Sequence, residues 1–161
     1  MKINNQSIVI RGATVVNPDA MFLADVRIAN GVIEAIGDAL TGDIVLDAVG
    51  CYVSSGFVDL HTHLREPGKE EAETIESGSR AAVLGGFTAV VAMPNTDPAQ
   101  DNVATVQFVR NRGREVGLCE VIPSGCITVG RAGKKLVAYD QLANEGVTLF
   151  TDDGTECKMR L

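Results

Sequence analysis

Short apolar runs separated by turn-forming residues make up the first third of the chain. Apolar side chains cluster at 8–10 and 14–16, and two further apolar runs flank the pair Asn30 and Gly31. An Asn-Gly pair between such runs favours a two-residue hairpin, because both central residues of a type I′ turn need positive φ. The pattern therefore predicts a small, β-sandwich-like unit over residues 1–55.

From residue 56 onward, apolar strands alternate with stretches that have helical spacing. Strands are expected at 57–63, 88–92, 121–128 and 147–151. Helices are expected between them, at 71–84, from Asn102 onward and at 139–145. Such alternation is typical of α/β folds, whose parallel sheets either curl into a barrel or stay open. A complete eight-stranded barrel takes about 250 residues, so 56–161 has room for about four of its strands.

Charge and composition narrow the partners to be expected. The formal net charge of -7, with 45% hydrophobic and 22% charged residues, is that of an acidic globular protein. An acidic surface repels phosphate backbones and anionic lipid, so no nucleic-acid or membrane partner is expected. No apolar run reaches the roughly 18 residues of a membrane span, and the default location is cytoplasmic. The four cysteines are widely spaced and predict free thiols.

Two histidines, His61 and His63, stand at the end of the first strand expected after residue 56, and they are the only two in the chain. A period of two residues places both on one face together with Asp59, and directs Val58 and Leu60 towards the helices. Imidazoles that converge at the carboxyl end of a parallel strand can bind a metal. A pair of hydrogen-bonded loop histidines fits the same spacing.

The fourth expected strand ends in Asp152, Asp153 and Gly154, which brings acidic oxygen to the same edge of the sheet. Two histidines and an aspartate are the protein ligands of a catalytic zinc site, whose remaining position holds a water molecule. A simple Asp-Gly turn is the alternative interpretation of this segment.

Arg65 and Asn95 follow the first and second of these strands. A guanidinium matches a carboxylate in shape, and an amide both donates and accepts hydrogen bonds. Together they could orient a small acidic substrate, although each also fits an ordinary surface loop.

Three segments carry a resemblance to a known family. They read GFVDLHTHLREPG at 56–68, AMPNT at 92–96 and FTDDG at 150–154. In this order and spacing the chain resembles the dihydroorotases of the amidohydrolase superfamily, from the N-terminal β unit to Gly154.

The resemblance implies reversible hydrolysis of dihydroorotate to carbamoyl aspartate, in pyrimidine synthesis, at a zinc centre within a (β/α)8 TIM-like barrel. It implies that His61 and His63 bind the metal, and that Asp153, in preference to Asp152, is the acidic ligand and catalytic residue. Arg65 and Asn95 match contacts to the substrate carboxylate. The complete family site holds one or two zinc ions, and at most one is expected here.

The same resemblance predicts the first half of such a barrel, because 161 residues end before the strands that bring the family's other metal-binding histidines and its acid-base aspartate. A half-barrel should be nearly inactive alone and should self-associate through exposed strand edges. One alternative is a non-catalytic relative that serves as a structural partner, for example of aspartate transcarbamoylase, which some family members bind. Another cyclic amidohydrolase remains possible only if Arg65 does not meet a carboxylate.

Overall fold

The structure, a computed structural model, describes residues 6–156, which belong to two compact units divided between Ser55 and Gly56. Five strands form the first unit: β1 (Ile8–Val16), β2 (Met21–Ala29), β3 (Val32–Gly37), β4 (Ile44–Asp47) and β5 (Tyr52–Val53). The second unit contains β6 (Phe57–Thr62), α1 (Ile75–Leu84), β7 (Phe87–Ala92), α2 (Val103–Val116), β8 (Glu120–Pro123) and α3 (Tyr139–Asn144). A short 3₁₀ turn (Val129–Arg131) lies between β8 and α3.

A single sheet in the order β3-β2-β1-β4 forms the first unit, with β5 also paired to β1. The predicted hairpin is confirmed between β2 and β3, where Asn30 and Gly31 have φ of 53° and 78°. Buried Val15, Ala24 and Val26 form the core of this unit. The described residues supply one sheet layer, so a sandwich-like arrangement with a second layer stays a prediction.

The second unit is built on a three-stranded parallel sheet in the order β6-β7-β8. Helices follow β6 and β7, as the alternating pattern predicts. The side chain of Asn102 caps α2 by accepting a hydrogen bond from the Thr105 amide at 3.1 Å, which confirms the predicted helix start. Helix α1 begins at Ile75 instead of residue 71, because Thr74 and Ser77 form a capping box there.

The predicted fourth strand is reduced to a single bridge, which corrects the expectation of about four strands. Gly125 and Phe150 pair in parallel, and both backbone hydrogen bonds of this bridge measure 2.9 Å. Strand β8 already ends at Pro123, and the chain beyond it serves as a loop. Among residues 6–156, segment 147–151 forms a β-bridge with Gly125 alone, although it lies where a fourth strand would begin.

Two apolar clusters hold the second unit together. The first joins the sheet to α1 and α2 through Leu64, Ile75, Val90, Ala92, Val109 and Val121. The second contains Val106, Cys126, Val137, Leu142 and Val147. Burial in this cluster raises the pKa of the Cys126 thiol to about 12. Among residues 6–156, no helix combines the length and apolar character needed to cross a membrane.

Candidate metal centre

A β-bulge in β6 determines which side chains reach the site. Asp59 pairs with Val90 and Thr62 pairs with Ala92, so three steps along β6 correspond to two along β7. The extra residue shifts the alternation of side chains by one position. The alternation of side chains between the two faces of the sheet is therefore out of phase before and after the bulge.

The shift corrects part of the predicted face assignment. Asp59 lines a cavity beside residues of α1, and His63 lines the same cavity. Val58 and Leu60 are 54% and 63% exposed, so the expectation that they pack against helices is wrong. The imidazoles of His61 and His63 are nevertheless neighbours, and both approach Asp153.

The two histidines meet Asp153 at the carboxyl end of the sheet. His61 Nε2 lies 3.1 Å from Asp153 Oδ1, and His63 Nδ1 lies 3.9 Å from Asp153 Oδ2. The imidazole rings stand edge to face with centroids 5.2 Å apart. One ligand atom from each of the three residues falls within 4.8 Å of the others. The structure thus assembles the three residues proposed as metal ligands.

Asn95 lies beside His63, with Asn95 Oδ1 3.0 Å from His63 Nδ1. An amide oxygen can only accept, so this contact requires the His63 proton on Nδ1 and leaves the lone pair on Nε2. Metal-binding histidines commonly donate their second ring N–H in this way. Asn95 was expected to contact substrate, and its contact with His63 was not predicted.

Asp152 is buried and acts inside the protein. Its Oδ1 accepts hydrogen bonds from the amides of Ile127 and Thr128 at 2.9 and 3.0 Å, and its Oδ2 accepts from Thr128 Oγ1 at 2.6 Å. These bonds fasten the turn that carries Asp153 to the loop after β8. Of the two neighbouring aspartates, only Asp153 lies within the histidine cluster.

Arg131 also contacts this turn, and sequence reasoning did not identify it. Its guanidinium donates to the carbonyl oxygens of Asp152 and Asp153 at 3.0 and 2.7 Å, and lies 3.7 Å from Asp153 Oδ2. The sequence offers no signal for this contact, because more than twenty residues of loop and helix separate Arg131 from the turn.

Arg65 is half-buried at the start of the loop after β6, with φ of 60°. Within residues 6–156 its guanidinium forms no hydrogen bond or ion pair, so the structure does not join it to the histidine cluster. The next residue is anchored, since Glu66 Oε2 accepts from the Ile75 amide at 2.8 Å and Oε1 from Arg112 Nε at 3.2 Å. The backbone beside Arg65 is therefore fixed by the hydrogen bonds of Glu66.

The loops that carry Arg65 and Asn95 rest on each other. The amide of Asp97 donates to the carbonyl of Pro67 at 2.9 Å. A side chain at Gly68 would place its Cβ 2.0 Å from the carbonyl oxygen of Asp97. The close approach needs a glycine and holds the two candidate substrate contacts on neighbouring loops.

The donor set fits zinc. Imidazole nitrogen and carboxylate oxygen are preferred zinc ligands, and three protein ligands with one open position are typical of catalytic sites. Two ligands of a tetrahedral zinc at about 2.0 Å lie roughly 3.3 Å apart, close to the 3.1 Å between His61 and Asp153. A ligand atom of His63 lies within 4.8 Å of those of the other two residues.

A family model described as dihydro-orotase-like matches residues 50–160, which is more than half of the chain. The chain belongs to the dihydro-orotase-like family. The resemblance inferred from the three motifs is thereby confirmed. Its members and the relatives below are hydrolases.

Dihydroorotases from several bacteria resemble this member of the dihydro-orotase-like family in sequence. The dihydroorotase of Pelobacter propionicus is 50% identical over 133 residues, which are 81% of this chain and 31% of that protein. The dihydroorotase of Aquifex aeolicus is 46% identical over 133 residues, or 32% of its length. The chain thus spans about a third of the curated relatives that it matches.

Solved structures support the fold of the dihydro-orotase-like chain. An L-hydantoinase (dihydropyrimidinase) from Arthrobacter aurescens superimposes with a TM-score of 0.74 at 20% identity, over 89% of this chain and 32% of that one. A D-hydantoinase from a Bacillus species gives 0.65 at 30% identity, over the same shares. The predicted fold class is confirmed: an α/β chain that corresponds to the N-terminal part of a hydrolase barrel.

Proposed function

We propose that this chain supplies the His-His-Asp part of a zinc-dependent dihydroorotase site, for reversible hydrolysis of dihydroorotate to carbamoyl aspartate. The observation that carries the proposal is the convergence of Asp153 with His61 and His63, 90 or more positions earlier in the sequence, within 4.8 Å. Sequence identity of 50% to the dihydroorotase of Pelobacter propionicus supports the choice of reaction.

His61, His63 and Asp153 would hold the metal in this proposal. A bound zinc ion would polarise the amide carbonyl and lower the pKa of a water molecule, the usual contributions of such a centre. Asn95 keeps the His63 proton on Nδ1 and so orients the imidazole. Asp153 is the catalytic residue proposed for this chain, since its carboxylate would touch the metal.

The substrate carboxylate would be bound by Arg65 and Asn95. The Arg65 guanidinium has no partner among residues 6–156, so it can form a paired contact with a carboxylate without breaking an existing bond. The Asn95 amide nitrogen can donate to the same anion while its oxygen accepts from His63. These roles favour an acidic cyclic amide over a neutral one.

Binding of dihydroorotate tests the proposal more directly than turnover. The zinc-loaded chain is titrated calorimetrically with dihydroorotate and with dihydrouracil, which has the same ring without the carboxylate. Dihydroorotate should bind and dihydrouracil should bind at least 10-fold more weakly, a loss typical of one charged contact. The variant Arg65→Met should remove that preference, while His61→Ala should remove zinc.

Arg80→Met is the matched control, because Arg80 pairs with Glu76 on the exposed surface of α1. It should bind zinc and dihydroorotate as the unaltered chain does. Equal affinity for both ligands, or a preference that survives Arg65→Met, would contradict the assignment of substrate.

Turnover by the 161-residue chain alone is proposed to be nearly absent. The described part of its second unit provides three parallel strands, whereas barrel sites draw catalytic residues from the ends of several more. The chain has two histidines, both already assigned to one metal. A rate close to that of a full-length relative would contradict this.

A hydantoin-type cyclic amide is the second candidate substrate, favoured by the structural similarity to hydantoinases. The titration with dihydrouracil tests this second candidate, because hydantoin-type substrates lack the carboxylate. A non-catalytic role, as a structural partner of aspartate transcarbamoylase, would instead give a chain that binds neither ligand.

A further inference from the structure

Arg131 lies behind the metal site and contacts the turn that carries Asp153 at four points. Besides its two bonds to backbone carbonyls, Nη2 lies 3.4 Å from Thr155 Oγ1 and 3.7 Å from Asp153 Oδ2. Its side chain is 23% exposed, and that of Asp153 is 11% exposed. One planar guanidinium thus fixes both the backbone and the carboxylate of a proposed ligand.

The loop and the turn hold each other by complementary bonds. Asp152 reaches from the turn to the amides of Ile127 and Thr128, and Arg131 reaches from the loop to the turn. Asp153 itself has φ of 44°, a left-handed conformation that a non-glycine residue adopts at some cost. Bonds on both sides of Asp153 keep the backbone in that conformation.

We infer that Arg131 is a positioning residue of the metal site, which acts through Asp153. The inference rests on the proposed function, since it takes His61, His63 and Asp153 as the ligands. Arg131 holds the carboxylate where both histidines can share a metal with it. Groups of this kind, one step behind the ligands, typically change metal affinity about 10-fold to 100-fold when they are removed.

Charge alone predicts the opposite effect, which makes the inference testable. A guanidinium 3.7 Å from a carboxylate oxygen repels a divalent cation that binds the same oxygen. If Arg131 contributed only its charge, its removal would strengthen metal binding. If it positions Asp153, its removal must weaken binding despite the lost repulsion.

The experiment is a titration of the full 161-residue chain with Co²⁺, followed by the visible absorption of the bound ion and by calorimetry. Arg131→Met keeps the aliphatic stem and removes every donor, and cobalt affinity should fall about 10-fold to 100-fold with an altered absorption band. Arg131→Lys keeps the charge without the planar fork, so its affinity should lie between that of Arg131→Met and that of the unaltered chain.

Arg110→Met is the matched control, since Arg110 is 19% exposed and forms an ion pair with Glu145 away from the histidines. Its cobalt affinity should stay within about twofold of the unaltered chain. Unchanged or tighter binding by Arg131→Met overturns the inference, as does an equal loss in Arg110→Met. If Arg131→Met does not fold, Arg131→Lys decides: full affinity with an unchanged band overturns the inference, and reduced affinity supports it.

A separate comparison tests the proposed metal site itself. Cobalt should bind the unaltered chain and not His61→Ala, whatever the Arg131 variants do. Equal binding by these two proteins overturns the metal site itself, whereas loss in His61→Ala with no change in Arg131→Met overturns only the role of Arg131.

Discussion

Asp152 and Asp153 are adjacent in sequence, yet their carboxylates meet different partners. The Asp152 carboxylate accepts three hydrogen bonds from the loop after β8 and is 3% exposed. The Asp153 carboxylate faces two imidazoles and a guanidinium. The first residue stabilises the fold of the site, and the second is the proposed ligand.

Asparagine substitutions at these two positions should separate the two roles. Asp152→Asn replaces one of two accepting carboxylate oxygens with an NH2 group, which cannot accept a hydrogen bond, and should lower the free energy of unfolding by about 1–3 kcal/mol in urea titrations. Asp153→Asn should change stability less and should lose zinc on dialysis, because a neutral amide is a poorer ligand. Zinc loss confined to Asp152→Asn would reverse the assignment.

Sequence reasoning identified His61, His63 and the pair Asp152 and Asp153 because strand ends and residue chemistry are visible in the sequence, and the family resemblance favoured Asp153. It could not choose between Asp152 and Asp153 from the residues alone, because the choice depends on where the amides of Ile127 and Thr128 arrive. Arg131 was missed for the same reason. Contacts between a loop and a distant turn leave no periodic pattern.

At the scale of elements, strand and helix order followed from hydrophobic spacing, and the exceptions are local. The bulge in β6 depends on how that strand pairs with β7, which its own sequence does not reveal. The predicted fourth strand does not form because β8, the strand beside it, ends at Pro123. The apolar segment 147–151 is therefore limited to a single bridge. Pairing partners, not propensity, decided both cases.

The contact between the loops after β6 and β7 gives a prediction at this scale. Gly68→Ala would force a Cβ into the Asp97 carbonyl and strain a residue with φ of 100°. Overpacking costs about 1–3 kcal/mol in addition to the backbone strain. The urea midpoint, followed by circular dichroism, should therefore fall, and dihydroorotate binding should weaken.

Gly146→Ala is the comparison for Gly68→Ala, because Gly146 has φ of 81° but its nearest new contact would be an ordinary 3.8 Å. It should cost about 1 kcal/mol from strain alone. Equal losses of stability in the two variants would show that the loop contact contributes nothing.

At the scale of the whole molecule, the described residues leave an apolar surface exposed to solvent. Val58 and Leu60 on β6 are more than half exposed, and β6 is an edge strand of its sheet. Parallel sheets are normally covered on both faces. Unpaired edges and exposed apolar side chains favour association.

The 161-residue chain should therefore self-associate. Sedimentation velocity should show dimers or larger species whose proportion rises with protein concentration. Leu60→Lys, which places a charge on this surface, should shift the distribution towards monomer. A compact monomer of the unaltered chain at every concentration would contradict the prediction.

Glu66 connects the rim of the site to the two helices outside it. Because its carboxylate holds the first amide of α1 and the Arg112 side chain of α2, the backbone next to Arg65 is ordered before any ligand arrives. The conformational entropy of that backbone is lost on folding and not on binding, which favours affinity. Under the proposed function, Arg112 on α2 would thereby influence how readily the rim binds an anion.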